Sequence, residues 1–375
     1  MHSLLTIAIP VYNRDQYFEE ALQSALSQTI PCPVLVVDNA SIHDRFQKIC
    51  EAKQHEGKDV RYVRNSTNLG LFGNWNRCGE LAQTEFVVIL CDDDKLSAYY
   101  HEEFQRAYAA YPEIDYFYGT LNRFGEKYEG HPSQDILFGA FRGIEAIRSA
   151  AYSGLAWPTN ATAYRTRHLR THPFRFCTPK RASNADWLQV YTASANSLCY
   201  GINRPLYHYR QHDTQGGHVY AQYATLTRSL VFAEMARILA TVDDPAWESA
   251  LLESVAMPVH VAISLGNKLA AFVHDGLRDG DPFVQFVVEG WGNISKIIKG
   301  LYSPASSVEF AATLAIVRGA RFSSRKTDWI WKRLLVSNPP NMLDRITTYL
   351  SSFRDEPHGA GIQLPAHTAQ RPQGS

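Results

Sequence analysis

The feature that most constrains the fold is an apolar strand that runs directly into three adjacent carboxylates, in the segment VVILCDDDKL (87–96). Three like charges side by side repel one another, so hydrogen-bond donors or a cation must keep them ionised. A single Asp at a strand end is an ordinary turn or cap residue. Three in a row after a buried strand indicate a site for a divalent cation or for a phosphate group.

Around this segment, apolar runs of strand length alternate with amphipathic stretches. In the first 120 residues we predict strands over Leu4–Val11, Val34–Asp38, Val60–Arg64, Phe86–Cys91 and Asp115–Tyr118. Helices are predicted over Tyr17–Gln28, Gly73–Ala82 and Tyr100–Ala110. A second group comprises a helix near Gly143–Tyr152, a strand near Thr159–Tyr164, a helix over Asp186–Ala195 and a strand over Pro205–Arg210. This alternation is typical of an α/β domain with a largely parallel sheet.

The sequence pattern changes after about Tyr220, where long helical patterns rich in Ala, Leu and Val begin. We therefore expect an α/β domain over residues 1–220 and a helical C-terminal domain over 221–354. The tail, 355–375, has too few apolar residues to order itself and is predicted to be disordered. A length of 375 residues agrees with two domains.

Composition excludes several classes of function. Lys plus Arg equal Asp plus Glu at 37 each, and no basic run is present, so nucleic acid is not an expected partner. The six cysteines have no CxxC spacing, which argues against a zinc site or a disulfide scaffold. The N-terminal residues have no basic leader and no apolar run reaches about 18 residues. We expect a cytoplasmic protein without a membrane span.

Polar residues follow three of the predicted strands, where each strand ends. The first strand ends in PVYNR (10–14), the second in DNAS (38–41), and the fourth runs into the aspartate triplet (92–94). In open α/β sheets, ligands bind beyond the carboxyl ends of the strands. Taken alone, Asp38 and Ser41 are more simply explained as turn or cap residues.

Four motifs together, in order and spacing, resemble the inverting family 2 glycosyltransferases. They are TIAIPVYNR (6–14), VVDNAS (36–41), NLGLFGNWNRC (68–78) and LCDDDKL (90–96), and the resemblance covers roughly residues 4–215. It implies the GT-A nucleotide-sugar-binding fold, a Rossmann-like and mostly parallel sheet, here with an added all-helical C-terminal domain. The chain departs from the family pattern at Cys91, where Asp is common, and at Trp75, where Arg is common. For Trp75 we predict a core position.

The resemblance implies a donor site. The nucleobase and ribose are expected to contact Pro10, Tyr12, Asn13, Arg14 and Asp38, with Asn39 and Ser41 alongside. The donor side of the cleft is expected to be lined by Asn68, Gly70, Asn74 and Asn76. A carboxylate can accept from a pyrimidine N–H and a tyrosine ring offers a stacking face, so a UDP-sugar is the favoured donor.

A divalent cation would neutralise the charge on the leaving nucleotide, and oxygen ligands favour Mn²⁺ or Mg²⁺. By resemblance, Asp94 contacts the metal and Asp92 lies near the ribose, whereas Asp93 is left unassigned. In the segment YHYRQHD (207–213), His212 is expected to bind metal or phosphate and Arg210 to bind phosphate.

The general base of an inverting transfer is expected at Asp186 in SNADWLQ (183–189), although Ala185 replaces the usual Glu. The alternative for Asp186 is a helix cap with Trp187 packed beside it.

The predicted function is metal-dependent, inverting transfer of a sugar to a saccharide or lipid-linked hydroxyl, in surface polysaccharide or glycan biosynthesis. A catalytically inactive nucleotide-sugar-binding or scaffold protein remains the alternative. Two C-terminal segments, 296–302 and 327–335, combine aromatic and basic residues. They would pack on the catalytic domain or a second subunit, or contact the inner face of the membrane peripherally.

Overall fold

The structure is a computed structural model that describes residues 3–125, 137–175, 185–212 and 221–247, together with 250, 254, 278–280 and 284–285. The chain divides into two compact units, the first containing Met1–Val219 and the second formed by Tyr220–Pro365. The nine strands and seven α-helices described in the first unit are β1 (Leu5–Val11), α1 (Phe18–Leu26), β2 (Val34–Asp38), α2 (Arg45–His55), β3 (Val60–Arg64), α3 (Gly70–Leu81), β4 (Phe86–Ile89), β5 (Lys95–Leu96), α4 (Tyr100–Ala110), β6 (Tyr116–Gly125), β7 (Gly139–Arg142), α5 (Gly143–Ser153), β8 (Thr162–Arg165), α6 (Thr166–Thr171), α7 (Ala185–Ser194) and β9 (Leu198–Gln211), and a short 3-10 helix spans Thr159–Ala161.

These strands form one mixed sheet in the order β3-β2-β1-β4-β8-β6-β9-β5, and β7 pairs with the N-terminal end of β9. Strands β3, β2, β1 and β4 are parallel, as predicted. Strand β8 is antiparallel to both β4 and β6, whereas β6 and β9 are parallel to each other, so the second half of the sheet is mixed. Every residue of β8 is buried, and a fully buried strand carries no sequence signal for its direction.

Helices cover both faces of the sheet. On one face, Phe18 of α1 and Phe104 of α4 join the main hydrophobic core with the inward residues of β1 and β4. On the other, α3 contacts β1, β2 and β4. Trp75 of α3 is 4% exposed and packs edge-to-face against Phe174, with ring centroids 5.3 Å apart. The predicted core position of Trp75 is confirmed.

Strand β9 is longer than predicted, spanning Leu198–Gln211 rather than Pro205–Arg210. It pairs along its length with β6, and the register shifts around Thr120, which is opposite Pro205. Proline has no amide hydrogen to donate and is tolerated in sheets at irregularities of this kind. Helix α2 was not predicted, because it buries only Phe46 and Cys50 and so lacks a wide apolar face.

In the second unit the structure describes one long helix, α8 (Ala221–Thr241). Most of the predicted helical domain, both aromatic and basic segments, and the tail 355–375 lie outside the described residues. Within the part of the chain that is described, no helix is both long and apolar enough to cross a bilayer.

Candidate active site

The structure brings the three polar segments together at one edge of the sheet. Strand β1 lies between β2 and β4, with Val11 paired to Asp38 and Ala8 to Ile89, so the carboxyl ends of the three strands are neighbours. The loop after β1 is held against the loop after β2, because the Asn13 amide donates to Ser41 Oγ at 2.9 Å. Asn13 adopts a left-handed φ of 56°, which Asn tolerates better than most residues.

The aspartate triplet has an internal counter-charge. Arg14 Nη2 lies 2.5 Å from Asp92 Oδ1 and 2.7 Å from Asp93 Oδ2. Burial and the charge of Asp93 raise the pKa of Asp92 to about 7, while Arg14 acts in the opposite direction. Part of the repulsion expected from the sequence is therefore offset by a guanidinium from the loop after β1.

Asp94 is held in place by β9. It is 1% exposed, Tyr207 donates its hydroxyl to Oδ2 at 2.9 Å, and the Arg210 amide donates to Oδ1 at 2.7 Å. Burial and the charge of Asp93 raise the pKa of Asp94 well above its usual range. Each oxygen of Asp94 thus accepts a hydrogen bond from β9, and its role in metal ligation stays a prediction.

Asp93 is the carboxylate that faces His212, with Oδ2 lying 3.0 Å from His212 Nε2. The Asp93 carboxylate and the His212 imidazole are an oxygen and a nitrogen donor close to one another, so together they could hold one divalent cation. Ligand atoms of Cys91, Asp93 and Asp94 lie within 4.8 Å of one another. Burial and nearby carboxylates raise the pKa of the Cys91 thiol, which favours oxygen and imidazole ligands over a thiolate.

The predicted phosphate partner, Arg210, has its guanidinium engaged inside the protein. Its Nε donates to the Asp93 carbonyl at 2.7 Å and its Nη2 to Glu20 at 2.8 Å. The guanidinium carbon lies 4.2 Å from the ring centre of Tyr17 and 4.5 Å from that of Phe124. Arg210 therefore connects the triplet turn to α1 and β6, and its contact with phosphate stays a prediction.

The residues expected around the nucleobase form a layered loop. Asp38 is 0% exposed and accepts hydrogen bonds from the Tyr62 hydroxyl at 2.6 Å and the Ser41 amide at 2.9 Å. Tyr12, in the loop after β1, is 44% exposed. Pro10 lies within β1, opposite Val37. Tyr12 therefore offers an exposed ring to a base, whereas Asp38 is buried and hydrogen-bonded within the protein, and its role as a direct acceptor from the base stays a prediction.

The predicted donor-side asparagines are also used internally. Asn39 Nδ2 donates to Asn68 Oδ1 at 2.8 Å and to the carbonyl of Gly70, whose φ is 76°. Asn74 Nδ2 donates to the buried Val37 carbonyl at 3.0 Å. Asn76 exchanges two 2.8 Å hydrogen bonds with the backbone of Phe174. Asn74 and Asn76 therefore hold α3 in position, because their side-chain amides hydrogen-bond the backbone of β2 and of Phe174.

Asp186 lies in the first turn of α7 and accepts a hydrogen bond from the Thr159 hydroxyl. Burial raises its pKa, while Thr159 and the backbone N–H groups of the helix start oppose the rise. Burial raises the pKa of the Tyr209 phenol, and the carboxylates of Asp94, Asp93 and Asp186 add to this effect. The charges of Asp186 and of the aspartate triplet therefore act on the same phenol, that of Tyr209.

Sequence reasoning missed the tyrosines of this site. Tyr207 hydrogen-bonds Asp94, Tyr62 hydrogen-bonds Asp38, and Tyr209 lies among the acidic residues. Alternation along β9 was the available signal, since residues two apart in a strand point to the same face. Tyr207 and Tyr209 share one face of β9 on this pattern.

The first half of the chain is similar to known glycosyltransferases. Residues 6–184 match the family model described as Glycosyl transferase family 2. Two curated relatives are abequosyltransferase RfbV of Salmonella typhimurium (32% identical over 97 residues, 25% of this chain and 29% of the relative) and GalNAc(5)-diNAcBac-PP-undecaprenol beta-1,3-glucosyltransferase of Campylobacter jejuni (28% over 93 residues, 24% and 30%). The chain thus aligns with less than a third of the length of each.

Among solved structures, S. aureus TarS 1-349, in complex with UDP-GlcNAc, superposes with a TM-score of 0.57 at 16% identity, covering 89% of this chain and 92% of TarS 1-349. The same segment in complex with UDP gives a TM-score of 0.56. Likeness at this identity establishes the fold. Residues 6–184 are thus similar to glycosyltransferase family 2, and the fold of this domain is the GT-A fold of the TarS structures.

Tyr207→Phe should lower the free energy of unfolding by about 1.5–3 kcal/mol, because it removes a hydrogen bond to a buried carboxylate. Tyr207 also accepts from the Cys91 amide at 3.1 Å, so the Phe side chain leaves two buried polar groups without this partner. Urea denaturation measures the change. Tyr152→Phe, at an exposed tyrosine, is the matched control and should shift the value by less than about 0.5 kcal/mol. Equal stability of the two variants would contradict this account of Asp94.

Proposed function

We propose that the domain transfers a sugar from a nucleotide-diphosphate donor, with UDP-sugars favoured, to a saccharide or lipid-linked hydroxyl. The observation that carries the proposal is the contact between Asp93 and His212 at the carboxyl edge of a GT-A sheet. The complexes of TarS with UDP-GlcNAc and UDP support the donor class. The abequosyltransferase and the undecaprenol-linked glucosyltransferase among the relatives support a sugar or lipid-linked acceptor in polysaccharide or glycan synthesis.

Asp93 and His212 are the residues proposed to hold Mn²⁺ or Mg²⁺. A bound divalent cation supplies charge neutralisation for the departing diphosphate. Within the protein, Arg210 and Tyr207 hold the backbone of the triplet turn in place, because Arg210 donates to the Asp93 carbonyl and Tyr207 to the Asp94 carboxylate. Asp94 is assigned to the support of that turn instead of the cation.

Asp186 is proposed as the general base of an inverting reaction. The acceptor hydroxyl would lose its proton to the carboxylate of Asp186 while the oxygen attacks the anomeric carbon. Burial holds the pKa of Asp186 above its usual range, which brings a carboxylate closer to the basicity that proton removal needs. Thr159 donates to Oδ2 and fixes its orientation.

The second candidate function is nucleotide-sugar binding without catalysis. Ala185 stands where the resembled family has Glu, which favours this alternative. Release of UDP, GDP, dTDP or CMP from the corresponding sugar donors in Mn²⁺ distinguishes the two functions. We expect release from a UDP-sugar; thermal stabilisation by UDP-sugars without any nucleotide release would favour the binding protein.

The remaining chain is assigned by proposal. Residues 1–220 would form the catalytic domain of a cytoplasmic protein, and residues 221–354 a helical domain that contacts a second subunit or the inner face of the membrane. The helix described at Ala221–Thr241 supports helical structure at the start of this region.

Asp93→Asn and His212→Ala should each weaken Mn²⁺-dependent UDP binding by at least about tenfold, the scale of one charged contact. Each variant removes one of the two groups that would share the cation. Isothermal titration of UDP, with Mn²⁺ and with EDTA, measures the difference.

Asp44→Asn is the matched control, because Asp44 is an exposed carboxylate paired with Lys48. It should leave UDP binding unchanged, and Asp94→Asn should keep the dependence on Mn²⁺ while losing stability. If UDP binding no longer depended on Mn²⁺ in Asp94→Asn but still did in Asp93→Asn, Asp94 and not Asp93 would be the metal ligand. If the wild type bound UDP as tightly in EDTA as in Mn²⁺, the proposed role of the cation in donor binding would be wrong.

Asp186→Asn should lower kcat by a factor on the order of 10² to 10⁴, because the amide cannot accept the acceptor's proton. The affinity for UDP should change little, since Asp186 is assigned to the acceptor. Steady-state kinetics with a UDP-sugar and UDP titration measure the two effects separately.

A helix-start role for Asp186 gives a different pattern. Asn serves the start of a helix about as well as Asp, so Asp186→Asn would then be nearly silent and Asp186→Ala would cost about 1 kcal/mol of stability. In the wild type, the rate should rise with pH as Asp186 loses its proton, at a pH above the ordinary carboxyl value of 3.8. An active Asp186→Asn enzyme with an unchanged pH profile would assign the base to another carboxylate.

A further inference from the structure

Arg14 engages the same carboxylate oxygen that the proposed cation would need. Asp93 Oδ2 lies 2.7 Å from Arg14 Nη2 and 3.0 Å from His212 Nε2. The second contact of Arg14 Nη2 is Asp92 Oδ1, at 2.5 Å. The guanidinium therefore lies between the first two carboxylates of the triplet and provides their positive charge within the protein.

From this shared oxygen we infer that Arg14 is an exchangeable counter-ion of the triplet. It pairs with Asp92 and Asp93 in the free protein, moves to the donor's diphosphate when the donor binds, and so makes the divalent cation and the donor bind cooperatively. The inference rests on the proposed function and adds a role for Arg14 that neither the nucleobase contact nor the cation site assigns to it.

The positive charges of Arg14 and of a divalent cation at Asp93 would repel each other. A guanidinium does not lose its proton in proteins, so its charge can leave the triplet only if the side chain moves. A cation bound to Asp93 while Arg14 stays in place would face a like charge at hydrogen-bond distance from the same oxygen. Without the donor, the cation must displace Arg14 into water, which weakens its binding.

Arg14 is also able to move and to take a phosphate. Its side chain is 31% exposed, and only Nη2 of its guanidinium hydrogen-bonds other described residues. The Nε and Nη1 groups can therefore meet an incoming diphosphate, for which the guanidinium has a matching geometry. Transfer of Arg14 to the diphosphate would remove its positive charge from Asp93, the carboxylate proposed to hold the cation with His212.

The thermodynamic consequence is a coupling between cation and donor. If UDP raises the affinity for Mn²⁺ by some factor, Mn²⁺ must raise the affinity for UDP by the same factor. For the wild type we expect a coupling factor of at least about ten, within the usual range for linked sites. Arg14→Gln removes the charge and keeps a hydrogen-bonding side chain, so Mn²⁺ alone should bind it at least about tenfold more tightly and the coupling factor should fall.

The experiment is a Mn²⁺ titration followed by the electron paramagnetic resonance signal of the free ion, with and without UDP. Arg14→Lys keeps a positive charge and should bind Mn²⁺ alone as weakly as the wild type. Arg77→Gln is the matched control, because Arg77 is partly exposed and pairs with Glu80 at 2.8 Å. It should behave as the wild type, and the melting temperature of each variant confirms folding.

The outcomes separate the inference from the proposed function. If Arg14→Gln binds Mn²⁺ no more tightly than the wild type, or if UDP leaves the Mn²⁺ affinity of the wild type unchanged, the inference is overturned and the cation site stands. If Mn²⁺ binds the wild type neither alone nor with UDP, the cation is removed from the proposed function and the inference is overturned with it.

Discussion

The repulsion among three adjacent carboxylates at the end of a buried strand is the constraint on which the rest of the site depends. The fold offsets it with different partners for each group. Arg14 contacts Asp92 and Asp93, while Tyr207 and the Arg210 amide hold Asp94. These partners come from the loop after β1 and from β9, so the carboxylates tie the two halves of the sheet together. These ion pairs and hydrogen bonds offset the cost of burying three like charges next to one another.

Much of this architecture could be predicted from the sequence. Of the four parallel strands, β1, β2 and β4 are largely apolar and are followed by polar segments, so the meeting of these segments at one edge follows from the geometry of a parallel sheet. The core position of Trp75 was also predictable from its place on an apolar helix face. Local periodicity carries this information because each strand and helix buries its own residues.

The division of labour within the triplet could not be predicted from the sequence. Asp92, Asp93 and Asp94 are identical in type and adjacent, and what separates them is which partner each meets: Arg14 from 78 residues away, or Tyr207 from 113 residues away. The same holds for Asp38, which is buried and accepts a hydrogen bond from Tyr62 of the neighbouring strand. Pairings of this kind are set by the tertiary fold, and residue type alone does not specify them.

The most direct test of the account is a crystal structure with Mn²⁺ and UDP, in which anomalous scattering locates the ion. The account predicts one Mn²⁺ peak bound by Asp93 and His212 and by the diphosphate, with Asp94 still hydrogen-bonded to Tyr207. It also predicts that the Arg14 guanidinium contacts the diphosphate. A Mn²⁺ ion bound by Asp94 in place of Asp93, or UDP bound with no ion at the triplet, would contradict it.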